Sequence, residues 1–319
     1  MNHEHEVRHL TEIDRRKFLQ LSGIATGLAF ANSILPTDSA RALSGVKLPG
    51  FSAFAQSVKV FKGEKFYLIE SNGIPAHQMM VGIKSWQQQV PTIQNYTGAN
   101  AWSIPIKPVL AANPISAKNH FLRGAIAIAV NGIPIFNALN NRGDDALLAG
   151  ELDDWGGHCG RADDYHYHIA PTHLQTIVGK KVPIAYALDG FPIYGETEVD
   201  GKKVTKLDAF NGHFDSKKNY HYHATKSYPY INGGFKGEVI EIGGQVEPQS
   251  LTKAFRPAGE PLRGAVITGF ERIDDSSFDL KYSLNGSDFH VKYLASLTEV
   301  NMQFIDSSGA IRTEVYQRK

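Results

Sequence analysis

Residues 152–168 and 207–223 carry one pattern, L-D-x-(W/F)-x-G-H-x6-Y-H-Y-H, with eight identities in seventeen positions at an offset of 55. Internal self-similarity constrains folding more than composition does, because each copy is one supersecondary unit and both copies must adopt it. The similarity extends upstream with a three-residue gap, residues 127–136 (AIAVNGIPIF) matching residues 185–194 (AYALDGFPIY). Each of these reads as a buried strand closed by an Asn-Gly or Asp-Gly turn, with Pro fixing the chain just after it. A third copy of the turn stands at Asn72-Gly73-Ile74-Pro75, followed by Ala76-His77. The expected architecture is mainly β, with two related β-rich repeats (about 125–173 and 183–228) packed about a pseudo-twofold axis as a sandwich or barrel-like core.

From about Leu251 the texture changes. Alternating runs at 278–284 and 289–293 flank Asn285-Gly286, a hairpin signal. Further alternating runs at 299–305 and 311–316 are separated by Asp306-Ser307-Ser308-Gly309. These predict a C-terminal β-meander over 251–319, set beside a main domain over 43–250. Helical signal is poor; residues 85–90 are the one place expected to form a turn of helix.

The first 42 residues differ in kind. Arg15-Arg16 precede an apolar run from Leu21 to Leu35, and Ala40-Arg41-Ala42 follows as a small-x-small cleavage signature. The segment resembles a twin-arginine export signal, with Asp14 where Ser or Thr is more usual. The apolar run is short for a span that needs about 20 residues. The expectation is a leader cleaved after Ala42, export through the twin-arginine machinery, and a periplasmic or secreted mature chain without an integral membrane segment. A net charge of +1, with 33 basic against 32 acidic residues, gives no basic surface for nucleic acid. One cysteine, Cys159, excludes an intramolecular disulfide.

The repeated motif holds six of the 13 histidines. On a strand, alternate side chains share a face, so in Tyr165-His166-Tyr167-His168 the imidazoles point one way and the phenols the other. Two imidazoles about 7 Å apart on one face can reach one ion. His158 lies far enough upstream for a hairpin to bring it alongside, and His213, His221 and His223 repeat the arrangement. Asp153 and Asp208 precede these histidines at equal spacing and are candidate ligands, or acceptors that hold an imidazole tautomer. Three histidines with a carboxylate suit zinc, copper, iron or manganese. The sequence leaves open two equivalent sites or one shared across the axis, and a thiolate contribution from Cys159, whose counterpart is Phe214. It also leaves open structural histidines in a polar core.

Other candidates stand singly. His77 caps a turn or adds a ligand. His120 reads as structural, His173 is a candidate to complete a site, and Glu196 is a one-copy candidate acid or base. Glu151 aligns with Lys206, so no general base is repeated. There is no G-x-S-x-G, phosphate loop or dinucleotide fingerprint.

The doubled Tyr-His-Tyr-His, the Leu-Asp-x-x-Gly-Gly-His before the first copy and the linking 187–195 segment (ALDGFPIYG) resemble the YHYH-domain proteins. The resemblance runs over roughly 68–239, and Cys159 departs from it, a non-thiol residue being usual after that histidine. It implies an exported or surface protein and names no reaction. Three functions follow: an exported metalloprotein with catalytic turnover as a hydrolase or oxidoreductase; a non-catalytic copper or zinc binding or delivery protein; and a carbohydrate- or surface-binding β module in which the tyrosines and Trp155 stack on ligand.

Overall fold

The structure is a computed structural model and describes residues 45–318. The twin-arginine-type segment and the position after Ala42 lie outside the described residues. Before the repeats run β1 (Lys59–Lys62), β2 (Phe66–Glu70) and β3 (Trp102–Pro105), which form one antiparallel sheet, and β4 (Leu110–Ser116).

The first repeat supplies β5 (Ala125–Ala129), β6 (Pro134–Phe136), β7 (Gly157–Cys159) and β8 (Tyr165–Tyr167). The second supplies β9 (Ala185–Ala187), β10 (Pro192–Tyr194), β11 (Gly212–Phe214) and β12 (Tyr220–His223). Together they make one eight-stranded sheet in the order β11-β12-β10-β9-β5-β6-β8-β7. That order is a palindrome: from its centre the sheet reads hairpin, parallel neighbour, edge strand in both directions. The central pair is antiparallel, with Ile128 opposite Tyr186 and Ala127 and Ala129 opposite Ala187 and Ala185. The pseudo-dyad therefore passes between Ile128 and Tyr186, which are equivalent in the two repeats. The expected mainly β, twofold organisation is observed, and the sheet is open at β7 and β11, with no closed barrel.

Sequence explains the centre of this sheet. Ala125–Ala129 reads Ala-Ile-Ala-Ile-Ala and is buried at every position, as expected of a strand covered on both faces. The Asn131-Gly132 and Asp189-Gly190 turns need a left-handed residue, and Gly132 (φ 80°) and Gly190 (φ 95°) provide it. Pro134 and Pro192 begin β6 and β10, where a missing amide hydrogen is least costly.

Beyond the repeats, β13 (Gly234–Gly237) pairs with β4, and β14 (Ile240–Ile242) pairs with β15 (Gln245–Glu247). The C-terminal meander follows as β16 (Val266–Arg272), β17 (Ser277–Leu284), β18 (Ser287–Ala295), β19 (Glu299–Ile305) and β20 (Ile311–Gln317), each antiparallel to the last. Asn285 (φ 54°) and Gly286 (φ 80°) form its two-residue hairpin loop, as their sequence demands. Strand β16 was not foreseen. The expected helical turn at 85–90 is absent: that stretch is irregular, and Trp86 donates its indole hydrogen to the Gln89 carbonyl at 2.8 Å. Short helical turns lie instead at Thr172–Leu174 and Gln175–Val178, among others. Buried apolar residues of the central sheet and of the meander, such as Ile126, Ile193, Leu280 and Val300, belong to one contiguous core. Among the described residues no helix is long and apolar enough to cross a membrane.

Candidate metal centres

The conserved spacing of the motif within the chain is that of a pinned hairpin. Asp153 Oδ1 accepts the amide hydrogens of Trp155 and Gly157 (2.9 and 3.0 Å), which closes the turn before β7. Its Oδ2 accepts from the Tyr165 hydroxyl and the Met80 amide, both at 2.8 Å. Gly157 is required because a Cβ there would lie 2.5 Å from the Tyr165 oxygen; the phenol crosses the strand at that point. Copy two repeats the construction: Asp208 accepts from Phe210, Gly212 and the Tyr220 hydroxyl, and a Cβ on Gly212 would lie 2.0 Å from the Tyr220 oxygen. The aspartates are thus hairpin pins.

With the phenols fixed on one face, strand alternation sends the histidines to the other. His158 lies directly across from His166, and His213 across from His221. At the first centre His168 Nε2 is 3.0 Å from His158 Nε2 and 3.2 Å from His166 Nε2. At the second, His213 Nε2 is 3.0 Å from His221 Nε2. The second centre also holds Glu198, its carboxylate oxygens 3.3 Å from His213 Nε2, 3.8 Å from His221 Nε2 and 3.6 Å from His223 Nε2.

The far side of each ring explains why these nitrogens face one another. His168 Nδ1 donates to the Asn137 carbonyl (2.5 Å), His223 Nδ1 to the Gly195 carbonyl (2.9 Å) and His166 Nδ1 to the Asp164 carbonyl (3.0 Å). A carbonyl oxygen only accepts, so each Nδ1 carries the proton and each Nε2 presents a bare lone pair. Lone pairs converging at about 3 Å in a buried site repel unless a cation lies between them. His223 Nε2 is buried with no hydrogen-bond partner at all. Burial, reinforced by the neighbouring imidazoles, holds His158 well below its usual pKa. Burial and His166 bring His168 down to about 3, and burial brings His223 to about 4. These rings are neutral at pH 7, the form that ligates metal.

The separations fit an ion. A tetrahedral site with bonds of about 2.1 Å has donor–donor edges of about 3.4 Å; the six spacings given above run from 3.0 to 3.8 Å, and all donors of each set lie within 4.8 Å of one another. Among the described residues, the two groups that could hold a metal are therefore His158, His166, His168 and Glu198, His213, His221, His223. They lie at opposite edges of the sheet, on β7–β8 and on β11–β12, so the arrangement is two centres and not one shared across the dyad.

Their surroundings differ. Asn140 occupies the place equivalent to Glu198, since the bridges Leu139–Asp145 and Thr197–Lys203 correspond. Its side-chain oxygen accepts the amide hydrogens of Arg142 and Asp144, and its amide faces Glu151 at 3.3 Å. The first triad consequently lacks a fourth protein donor. A cavity of about 260 Å³ opens beside it, with all three histidines, Phe136, Arg142 and Glu151 in its wall. Phe136 stacks on His166 with ring centroids 3.8 Å apart. Glu151 is buried and paired to Arg142.

Of the predicted ligands, the six motif histidines are brought together as two sets of three. Asp153 and Asp208 are not; their oxygens are committed on the tyrosine face, and backbone carbonyls hold the tautomers instead. Cys159 stands outside the histidine group, turned away by alternation, and burial followed by Asp163 and Asp164 pushes its thiol well above its usual pKa. His77 and His173 lie on the tyrosine face: His77 Nε2 is 2.6 Å from the Tyr167 hydroxyl, and its ring stacks on Trp155 and meets His173 edge-on. His120 pairs with Glu241 and Glu196 with Lys226. Glu198 was missed. Its signal is faint, because it sits outside the repeated positions and its counterpart is an asparagine.

The fold and site define an open-sheet β protein with paired histidine centres able to hold metal ions. Residues 101–204 match the model of the family described as YHYH protein, and the chain carries that family's domain. The match is narrower than the resemblance over 68–239, and it ends before the second histidine triad. No curated protein and no solved structure matches the chain.

Proposed function

We propose that the protein is an exported metal-binding protein that holds two ions in unlike duties, a closed centre at Glu198, His213, His221 and His223 and an open, reactive centre at His158, His166 and His168. The observation that carries this reading is the convergence of unprotonated Nε2 atoms, with His223 Nε2 buried and unpartnered. Imidazole donors suit zinc, copper or iron over magnesium and calcium. Four protein donors are the mark of a structural centre, and three with room to spare that of a catalytic one.

An ion at three imidazoles supplies Lewis acidity and a position where water becomes acidic near neutrality. Around it, Phe136 shields His166 from solvent on one side, and the Asn137 and Asp164 carbonyls fix the rings. Glu151, steadied by Arg142 and Asn140, is the carboxylate placed in the cavity wall to take up a proton. This favours a hydrolytic role over metal delivery. The sugar-stacking alternative loses support because Tyr165, Tyr167 and Tyr222 are fully buried and Tyr220 is 3% exposed. The export leader 1–42 and the division into 43–250 and 251–319 belong to the same reading; amino-terminal sequencing of the exported chain should begin at Leu43.

Elemental mass spectrometry on untagged protein tests the core of the reading. The expected content is two ions per chain, falling by one in His166→Ala/His168→Ala and by the other in His221→Ala/His223→Ala. A well-folded parent protein that remains metal-free after incubation with zinc, copper and iron salts would overturn it.

A further inference from the structure

The cavity beside the first triad carries more than open space. Arg123, Arg142 and Arg161 all line it. Arg142 is neutralised by Glu151 and Asp144. Among the described residues, no hydrogen bond or ion pair engages the side chain of Arg123 or Arg161. Arg123 and Arg161, both exposed and unpaired, thus line a cavity whose wall also holds the three imidazoles, and the one acid in that wall is already paired. The remaining wall carries no charge, with Ser85, Gln87 and Gln89 beside apolar Leu122, Phe136 and Leu139.

The second repeat lacks this arrangement. The positions equivalent to Arg123, Arg142 and Arg161 are Lys181, Asp200 and Ser216, and Glu198 adds a carboxylate at the centre itself. Lys181 keeps the positive charge of Arg123, whereas Ser216 loses that of Arg161 and Asp200 reverses that of Arg142, so a pair of unpaired guanidinium groups belongs to the first cavity and not to the hairpin. Guanidinium groups present a planar fork that pairs with two oxygens of a carboxylate or phosphate at once. The cavity volume of about 260 Å³ lies below the range of roughly 300–1,000 Å³ used by drug-sized ligands.

We propose that the cavity beside His158, His166 and His168 binds a small oxyanion-bearing molecule, a phosphate or carboxylate, through Arg123 and Arg161, and so presents it to the triad. This rests on the first centre being the reactive one; the anion site itself needs only the two arginines and the cavity.

Calorimetric titration of the full mature chain with inorganic phosphate, and separately with acetate, tests it, alongside Arg123→Gln, Arg161→Gln and the double variant. Both arginines are exposed, so the substitutions should leave the fold intact, as circular dichroism would verify. The expected result is phosphate or acetate binding to the parent, weakened about tenfold by each single change, as for loss of one charge-assisted pair, and abolished in the double variant. Stronger phosphate binding names a phosphoryl-bearing ligand, and stronger acetate binding a carboxylate. No binding to the parent, or equal binding to parent and double variant, overturns the proposal. Metal content of the same samples is read independently, so a failure of the metal reading shows as zero ions whatever the anion does.

Discussion

The two histidine centres share a frame and differ in what completes it. Each is a hairpin pinned by an aspartate on one face and aimed by backbone carbonyls on the other. The frame is written in the seventeen-position pattern. What distinguishes the centres lies outside it: Asn140 against Glu198, Glu151 against Lys206, Arg142 against Asp200. Shared residues set where three nitrogens point, and unshared residues set whether the fourth direction is closed by a carboxylate or left open to a cavity. Duplication supplies the geometry twice, and loop substitutions outside the motif separate the uses.

The largest effect expected from disturbing this contrast comes from the closing residue. Glu198→Gln removes a charged donor from the second centre and none from the first. Metal affinity there should fall by more than the roughly 10–100-fold typical of losing an outer hydrogen-bond partner, with the first centre unchanged, read by competition with a chromophoric chelator. Equal weakening at both would mean that Glu198 acts on the fold and not on the ion. Asn140→Glu is the reciprocal test, tightening the first centre as it acquires a fourth donor.

Acid comes next. In the metal-free chain, burial lowers His158, His168, His221 and His223, with His168 at about 3 and His223 at about 4. Below the usual value of about 6.5 the unfolded chain gains protons that the folded rings refuse, so stability declines as pH falls through that window. Above it both states are neutral and these groups contribute no slope. Asp153 and Asp189, raised to about 6 by burial, work the other way, since folding favours their protonated forms between about 4 and 6. His77 and His173 are lowered by burial as well, and six lowered imidazoles against two raised carboxyls should leave a net loss. Urea midpoints of metal-free protein at pH 7.5, 6 and 5 should decrease in that order; a flat series would count against neutral buried rings. Metal should steepen the dependence, because protons compete with it for Nε2.

The smallest effects come from the pins. Tyr165→Phe removes a hydrogen bond to a buried carboxylate and should cost about 1.5–3 kcal/mol in chemical denaturation. Tyr220→Phe, whose acceptor Asp208 is one-third exposed, should cost less than about 1 kcal/mol, since water can replace the phenol. Similar losses in both would mean that burial of the two aspartates does not differ in solution as it does here.

Much of this was legible in sequence where the signal was local and periodic. Asn285-Gly286 and the alternation around it placed β17 to within one residue and β18 to within two at each end, and Tyr-His-Tyr-His announced which side chains share a face. Twofold symmetry followed from the repeat, though not the palindromic strand order, which depends on β6 and β10 each taking a parallel neighbour from far along the chain. Equal spacing suggested that Asp153 and Asp208 serve the metal. Spacing cannot tell the two faces of a hairpin apart once a turn intervenes, and the Tyr165 and Tyr220 hydroxyls claim them. Glu198 was hidden for the opposite reason, as it has no acidic partner in the other copy to draw attention to it. Residues 85–90 were expected to form a turn of helix, but they are held by contacts to distant segments, such as Gln88 to Glu260.

The dyad between Ile128 and Tyr186 has a further consequence. An antiparallel pair of equivalent strands is a self-complementary contact, the kind two separate identical subunits make. Each half of the sheet is therefore a tile whose inner edge fits its own copy, and the outer edge carries the histidines.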